Sequence, residues 1–210
     1  SGLNFRRRHM LTIYHVPGTR GMRAIWTCEE LGHPYQIVPV DFSVEYRASQ
    51  EWRKMNPTGK VPVMTDGDLK IFESGAMVHY ILDRYGNGRL QPSPGTEEHA
   101  TFLQWSWFAE ATFARPIGEI VNHRRVFGDN AREDAIEEMQ SRAHLCVDAI
   151  AQELADGREH LCGNEFNAAD IMIAYSLHLQ QRLAPREYPE QLQSYWDRVS
   201  SRPAFGPASS

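Results

Sequence analysis

An α/β unit followed by an all-helical unit is the fold class this sequence predicts, and three observations predict it. Up to residue 85, short apolar runs of strand length alternate with segments of helical period. Gly86 to Gly95 (Gly, Asn, Gly, Arg, Leu, Gln, Pro, Ser, Pro, Gly) is dense in turn formers and reads as a linker. After it the chain is helical in pattern. The expected division is therefore 10–85, a linker over 86–95, and a helical domain over 96–205.

Leu11 to His15 is the first strand. A helix is expected from about Thr19 to Leu31, with Ala24, Cys28 and Leu31 on one stripe and a stop signal in Gly32 followed by Pro34. Tyr35 to Val40 is the second strand, and a single helix is expected near Val44 to Lys54. Val61 to Met64, with Pro62 inside it, and Leu69 to Phe72 flank Asp66-Gly67, a strong hairpin signal. Ser74 is placed as an N-cap, and Val78, Ile81, Leu82 and Tyr85 follow at helical spacing.

In the second half, Phe102, Trp105, Phe108 and Ala109 form a stripe that continues to Ile117, Ile120 and Val121, with a kink or break expected at Pro116. Ile136, Met139, Ala143, Val147, Ile150 and Leu154 give the next helix its stripe. Ile171 to Leu179 is apolar nearly all round, which predicts a buried central helix. Just before it, Asn167 and Asp170 have capping-box spacing, with Phe166 and Ile171 placed as a hydrophobic staple. Asp170 is read as a fold residue.

Composition narrows the function classes. A chain of 210 residues with 41% apolar content can bury a substantial core. No apolar run approaches bilayer length and no signal-peptide core is visible, so a soluble, cytoplasmic protein away from membranes is expected. A formal charge of -5 argues against nonspecific nucleic-acid binding. Arg6, Arg7 and Arg8 form the tight basic run and are assigned no function. Cys28, Cys146 and Cys162 are odd in number and widely spaced, and the nine histidines are scattered, which suits neither a disulfide framework nor a metal site.

The chemistry concentrates between Asn56 and Ser74. A proline at the start of a strand cannot feed a central ladder, so Pro62 implies an edge position, a bulge or a cis peptide. Each of these frees the backbone N–H and C=O of Val61 for a peptide ligand. At Ser74, the position that would complete a capping box holds Met77, so the helix N-terminus and the hydroxyl remain open to a carboxylate. Taken singly, Ser74 as a plain cap and Pro62 as a plain strand end are the ordinary readings. Their close succession points to a ligand.

The run Asn56, Pro57, Thr58, Gly59, Lys60, Val61, Pro62, Val63, Met64, followed by Glu73-Ser74, resembles the glutathione-binding half of glutathione S-transferases. Tyr14, His15, Val16, Pro17, Gly18, Thr19, Arg20, Gly21, Met22, Arg23, with Trp26, Glu29, Glu30, Leu31 and Gly32, is similar to the first strand and helix of bacterial and fungal members. The resemblance covers essentially the whole chain. It implies a thioredoxin-like N-terminal domain with a cis proline, an all-helical C-terminal domain, glutathione as cosubstrate without a metal, and a homodimer that pairs the first domain of one subunit with the helical domain of the other.

Glutathione carries two carboxylates, an ammonium group and a thiol that is mostly protonated near neutral pH. A donor aimed at the sulfur near a helix N-terminus favours the thiolate. The resemblance puts Thr19 at the position of the activating hydroxyl in serine-type members, four residues before Arg23; Tyr14, His15 and backbone N–H groups alone remain alternatives. It also implies that Val61, fixed by Pro62, pairs with the cysteinyl part, that Glu73 meets the γ-glutamyl ammonium, that Ser74 meets the adjacent carboxylate and that Lys60 meets the glycyl carboxylate. Phe108, Ala111, Thr112 and Arg115 are the candidates for a second, electrophilic substrate between the domains. The rivals are a glutathione-dependent reductase, for which residues 17 to 22 lack the expected cysteine, an isomerase on the same fold, and a noncatalytic binding or assembly module.

Overall fold

The computed structural model describes residues 10–210, so the basic run Arg6 to Arg8 lies outside the described residues. Its contacts divide it into two compact units: one runs to Tyr85 and takes in Gly206–Ser210, and the other is Gly86–Phe205.

The first unit is a four-stranded mixed sheet with helices packed on it. Strands β1 (Leu11–His15), β2 (Tyr35–Pro39), β3 (Val63–Asp66) and β4 (Leu69–Phe72) lie in the order β2-β1-β3-β4, with β1 parallel to β2 and the other pairs antiparallel. Helices α1 (Gly21–Leu31) and α4 (Ser74–Tyr85) pack against each other. Leu11 and Ile13 of β1, Met22, Ile25 and Trp26 of α1, Val63 and Met64 of β3, and Met77, Val78 and Ile81 of α4 are buried. Gly32 ends α1 in the left-handed conformation at φ 63°, where the missing Cβ removes the steric penalty.

Two local expectations differ from the structure in this unit. The single helix near Val44 to Lys54 is two, α2 (Val44–Ala48) and α3 (Gln50–Met55), because Ser49 is extended (φ -63°, ψ 152°) and its hydroxyl accepts the Trp52 N–H to start a second helix. The hairpin loop is Gly67-Asp68, one residue later than expected: Asp66 still pairs with Leu69, and Gly67 takes the positive φ of 59°. Asp66 is held in the ladder while its carboxylate accepts the Tyr80 hydroxyl at 2.7 Å and the Tyr85 hydroxyl.

In the helical unit, α5 (Glu97–Trp107) continues through a π-helical stretch (Phe108–Phe113) into α6 (Ala114–Phe127), followed by α7 (Glu133–Glu153), α8 (Ala168–Leu183) and α9 (Glu190–Ser200); the short α10 (Phe205–Ser209) belongs, from Gly206 on, to the first unit. Pro116 therefore does not break the helix. It lies just after the π-helical stretch, where the regular i→i−4 ladder is already interrupted. Val121 is 48% exposed and leaves the stripe, whereas Ile117 and Ile120 are buried. Helix α8 is the centre of this unit: Ala168 to Leu177 are all buried, and α5 and α6 pack on it. Asn167 Oδ1 accepts the Ala169 N–H at 2.9 Å and Asp170 Oδ2 accepts the Asn167 N–H at 3.0 Å, so the local box signature forms as its spacing implies. No helix among the described residues is long and apolar enough to cross a membrane.

Candidate functional site

Sheet register gathers one end of the first unit. Tyr14 of β1 pairs with Val63 of β3, and Val63 pairs with Phe72 of β4. The chain beyond β1, the chain before β3 and the chain beyond β4 therefore all leave from the same end of the sheet. Those three segments carry Thr19, Lys60-Val61-Pro62 and Glu73-Ser74.

Thr19 ends the turn before α1. Its N–H donates to the Val16 carbonyl at 3.1 Å, and its hydroxyl donates to the same oxygen at 2.7 Å, with His15 Nδ1 a longer 3.4 Å away. The helix starts later than Thr19: Arg20 occupies the N-cap and makes no side-chain cap, so the threonine hydroxyl has no capping duty. Tyr14 is half-buried with its ring against Trp52. His15 is buried, and burial lowers its pKa to about 4, which keeps the imidazole neutral.

Val61 precedes the β3 ladder, and the Val61-Pro62 peptide is cis. Asn56, buried beneath this loop, donates from Nδ2 to the Lys60 carbonyl at 3.0 Å, while Lys60 itself is exposed. Glu73 has φ 79°, a left-handed backbone in a residue with a Cβ, of the kind that costs about 1–3 kcal/mol and recurs at ligand sites. Ser74 is the first helical residue rather than the expected cap, because the Glu73 carbonyl already accepts the Met77 N–H.

The residue that sequence reasoning left as a landmark is Arg23. It is fully buried in α1, and its Nη1 donates to Ser74 Oγ at 3.1 Å, joining the two helices. A guanidinium there reinforces the positive end of α4 and occupies a lone pair of the Ser74 oxygen, leaving that hydroxyl's proton for an anion. Nothing in the local pattern announces this, since arginine is surface-seeking by default. Arg23→Met is expected to lower stability by about 1.5–3 kcal/mol in urea unfolding, the range for a hydrogen bond to a charged group. In a Ser74→Ala background the same change should cost clearly less; an equal cost in both backgrounds would sever Arg23 from Ser74.

The remaining candidates lie on the helical unit. Phe108 is half-buried and packs edge-on against Trp105 with ring centroids 5.1 Å apart, whereas Ala111, Thr112 and Arg115 are exposed along the π-helical stretch and the start of α6. Arg115 pairs with Glu119 at 3.1 Å. A cavity of about 500 Å³ elsewhere in this unit, lined by Leu90, Gln91, Glu98, Cys162, Phe166 and Asn167 among others, includes none of the candidates. The three cysteines are unpaired, and burial raises Cys28 to about 12 and Cys146 and Cys162 to about 11, so none is set up as a thiolate.

Comparison with known proteins matches one stretch before residue 85 and one stretch of the helical unit. Residues 9–83 match the model described as "Glutathione S-transferase, N-terminal domain", and residues 133–202 match "Glutathione S-transferase, C-terminal domain". The chain is 27% identical over 207 residues to glutathione S-transferase 3 of Schizosaccharomyces pombe, covering 93% of this chain and 85% of that one. It is 27% identical over 204 residues to glutathione S-transferase F10 of Arabidopsis thaliana, covering 93% and 94%. Among solved structures, the glutathione transferase URE2P8 from Phanerochaete chrysosporium with oxidized glutathione shares the fold with a TM-score of 0.85 at 23% identity, covering 97% of this chain and 95% of that one.

Proposed function

The chain belongs to the glutathione S-transferase family, and on that premise we propose that it binds glutathione, favours the thiolate of its cysteine and adds that sulfur to an electrophilic small molecule. In the transfer step the thiol releases its proton, the sulfur lone pair forms a bond to carbon, and a leaving group departs or a double bond takes up a proton. The observation that carries the reading is that the segments bearing Thr19, Val61 and Glu73-Ser74 all leave from one end of the sheet.

In this reading the backbone of Val61 pairs with the cysteinyl amide as an added strand. Glu73 faces the γ-glutamyl ammonium, the Ser74 hydroxyl with the α4 N-terminus faces its carboxylate, and Lys60 faces the glycyl carboxylate. Thr19 aims its hydroxyl at the sulfur. Phe108, Ala111, Thr112 and Arg115 offer a mixed apolar and cationic face to the electrophile. A cytoplasmic homodimer with a detoxifying role, as in the wider family, completes the proposal.

Calorimetric titration with glutathione, followed by a panel of electrophiles and disulfides, tests it. Tight binding with turnover of electrophiles is the expected result; disulfide reduction without conjugation would favour the reductase alternative. Ser74→Ala should weaken glutathione binding by roughly 10- to 100-fold, as for a lost charge-assisted hydrogen bond. Glu73→Gly should also weaken binding, yet leave stability unchanged or raised by about 1 kcal/mol, because glycine adopts φ 79° without strain. Native-like binding by either variant would displace the γ-glutamyl end from this position.

A further inference from the structure

The hydroxyl of Thr19 has one proton, and a carbonyl oxygen can only accept. The 2.7 Å contact with the Val16 carbonyl therefore uses that proton. The 3.4 Å contact with His15 Nδ1 can then be a hydrogen bond only if the imidazole is the donor, with its proton on Nδ1 and a lone pair of Oγ1 accepting. The other ring nitrogen supports the same tautomer. His15 is 2% exposed and Nε2 has no hydrogen-bond partner among the described residues; an orphaned buried N–H is rarer than an underused buried acceptor. Position 21 accommodates the ring as well: a Cβ there would lie 2.2 Å from His15 Nδ1, and glycine is what the sequence has.

We propose that His15 is a positioning residue that acts through Thr19: its Nδ1–H holds one lone pair of the threonine oxygen, so the hydroxyl proton swings between only two acceptors, the Val16 carbonyl and a bound thiolate. In the opposite tautomer the imidazole would accept from Thr19 and compete with the sulfur. A donor bonded to the oxygen also polarises the hydroxyl and makes it a stronger donor itself. Burial keeps the ring neutral, so it needs no charged partner and sets no charge of its own beside the Thr19 hydroxyl. This inference rests on the assignment of Thr19 as the activating group.

Nitrogen-15 NMR of the intact protein labelled at histidine reads the tautomer directly, and Nδ1–H is the expected form. His15→Phe keeps a ring but removes the donor, and should lower the thiolate absorbance of bound glutathione about two- to tenfold at neutral pH, the span of one neutral hydrogen bond, while glutathione affinity changes less. His15→Asn, whose Nδ2–H can stand where Nδ1–H stood, should recover much of the loss. In a Thr19→Val background His15→Phe should have no further effect. An Nε2–H tautomer, or an equal effect of His15→Phe with and without Thr19, overturns the inference and leaves the Thr19 assignment standing. If Thr19→Val alone leaves the thiolate unchanged, the assignment itself fails and the inference falls with it. The tautomer measurement needs no substitution, so a variant that does not fold leaves it intact.

Discussion

Asp170→Ala is expected to lower stability by about 4 kcal/mol or more, with a fall in Tm of roughly 10 °C. Asp170 is fully buried and accepts three hydrogen bonds, from the Leu161 N–H at 3.2 Å, the Asn167 N–H at 3.0 Å and the Tyr195 hydroxyl at 2.9 Å. Truncation orphans all three donors in the interior, and each unsatisfied buried group costs about 1–3 kcal/mol. Asp170→Asn should recover little, because its amide nitrogen would face a donor on one side or the other. Tyr195→Phe removes one donor and should cost only about 1 kcal/mol. A small loss for Asp170→Ala in thermal and urea unfolding would show that the box is dispensable.

The same residue has a signature in pH. Burial raises Asp170 to about 6, against the pull of its three donors and Arg202. Below that value the folded state holds a proton that the unfolded chain gives up, so this group's contribution to stability rises as pH falls from 6 towards 4. His15 and His160, both lowered to about 4 chiefly by burial, act in the opposite sense, since the unfolded chain binds their protons first. Asp170→Asn removes the opposing contribution and should steepen the acid-side decline between pH 6 and 4.

What the sequence made legible here was local. Asn167 and Asp170 stand three residues apart, so their reciprocal bonds follow from spacing, and Gly32 with Pro34 marks the end of α1 in the same way. What it hid depends on residues distant in the chain. Tyr195 reaches Asp170 across 25 positions, and Arg23 reaches Ser74 across 51; neither pairing leaves a periodic trace. Pro62 narrowed the backbone to an edge, a bulge or a cis bond, and only the surrounding fold selects among them. Ser49 hid a break because serine is also common on helix surfaces, and Ser74 was misplaced by one residue because a cap and a first-turn serine have the same composition.

Thr19→Val should lower turnover on the order of 10²-fold while glutathione affinity falls far less, the signature of a donor that matters chiefly for the anion. Valine keeps the branched shape, so the turn over Pro17-Gly18 and the backbone bond from residue 19 to the Val16 carbonyl survive. The Thr19 hydroxyl donates its proton to that carbonyl at 2.7 Å. A thiolate is the stronger acceptor, so the proton should turn to the sulfur once glutathione is bound and the thiol has ionised. The protonated thiol offers no comparable gain, which is why the hydroxyl stabilises one protonation state over the other. Thr19→Ser retains the donor and should keep much of the activity, losing some through the added rotamer freedom of an unbranched side chain. The deciding measurement is the thiolate absorbance of bound glutathione against pH: Thr19→Val should move its midpoint upward. If that midpoint stays in place while Tyr14→Phe raises it, the phenol is the activating group, and the Thr19 hydroxyl does no more than close the turn onto Val16.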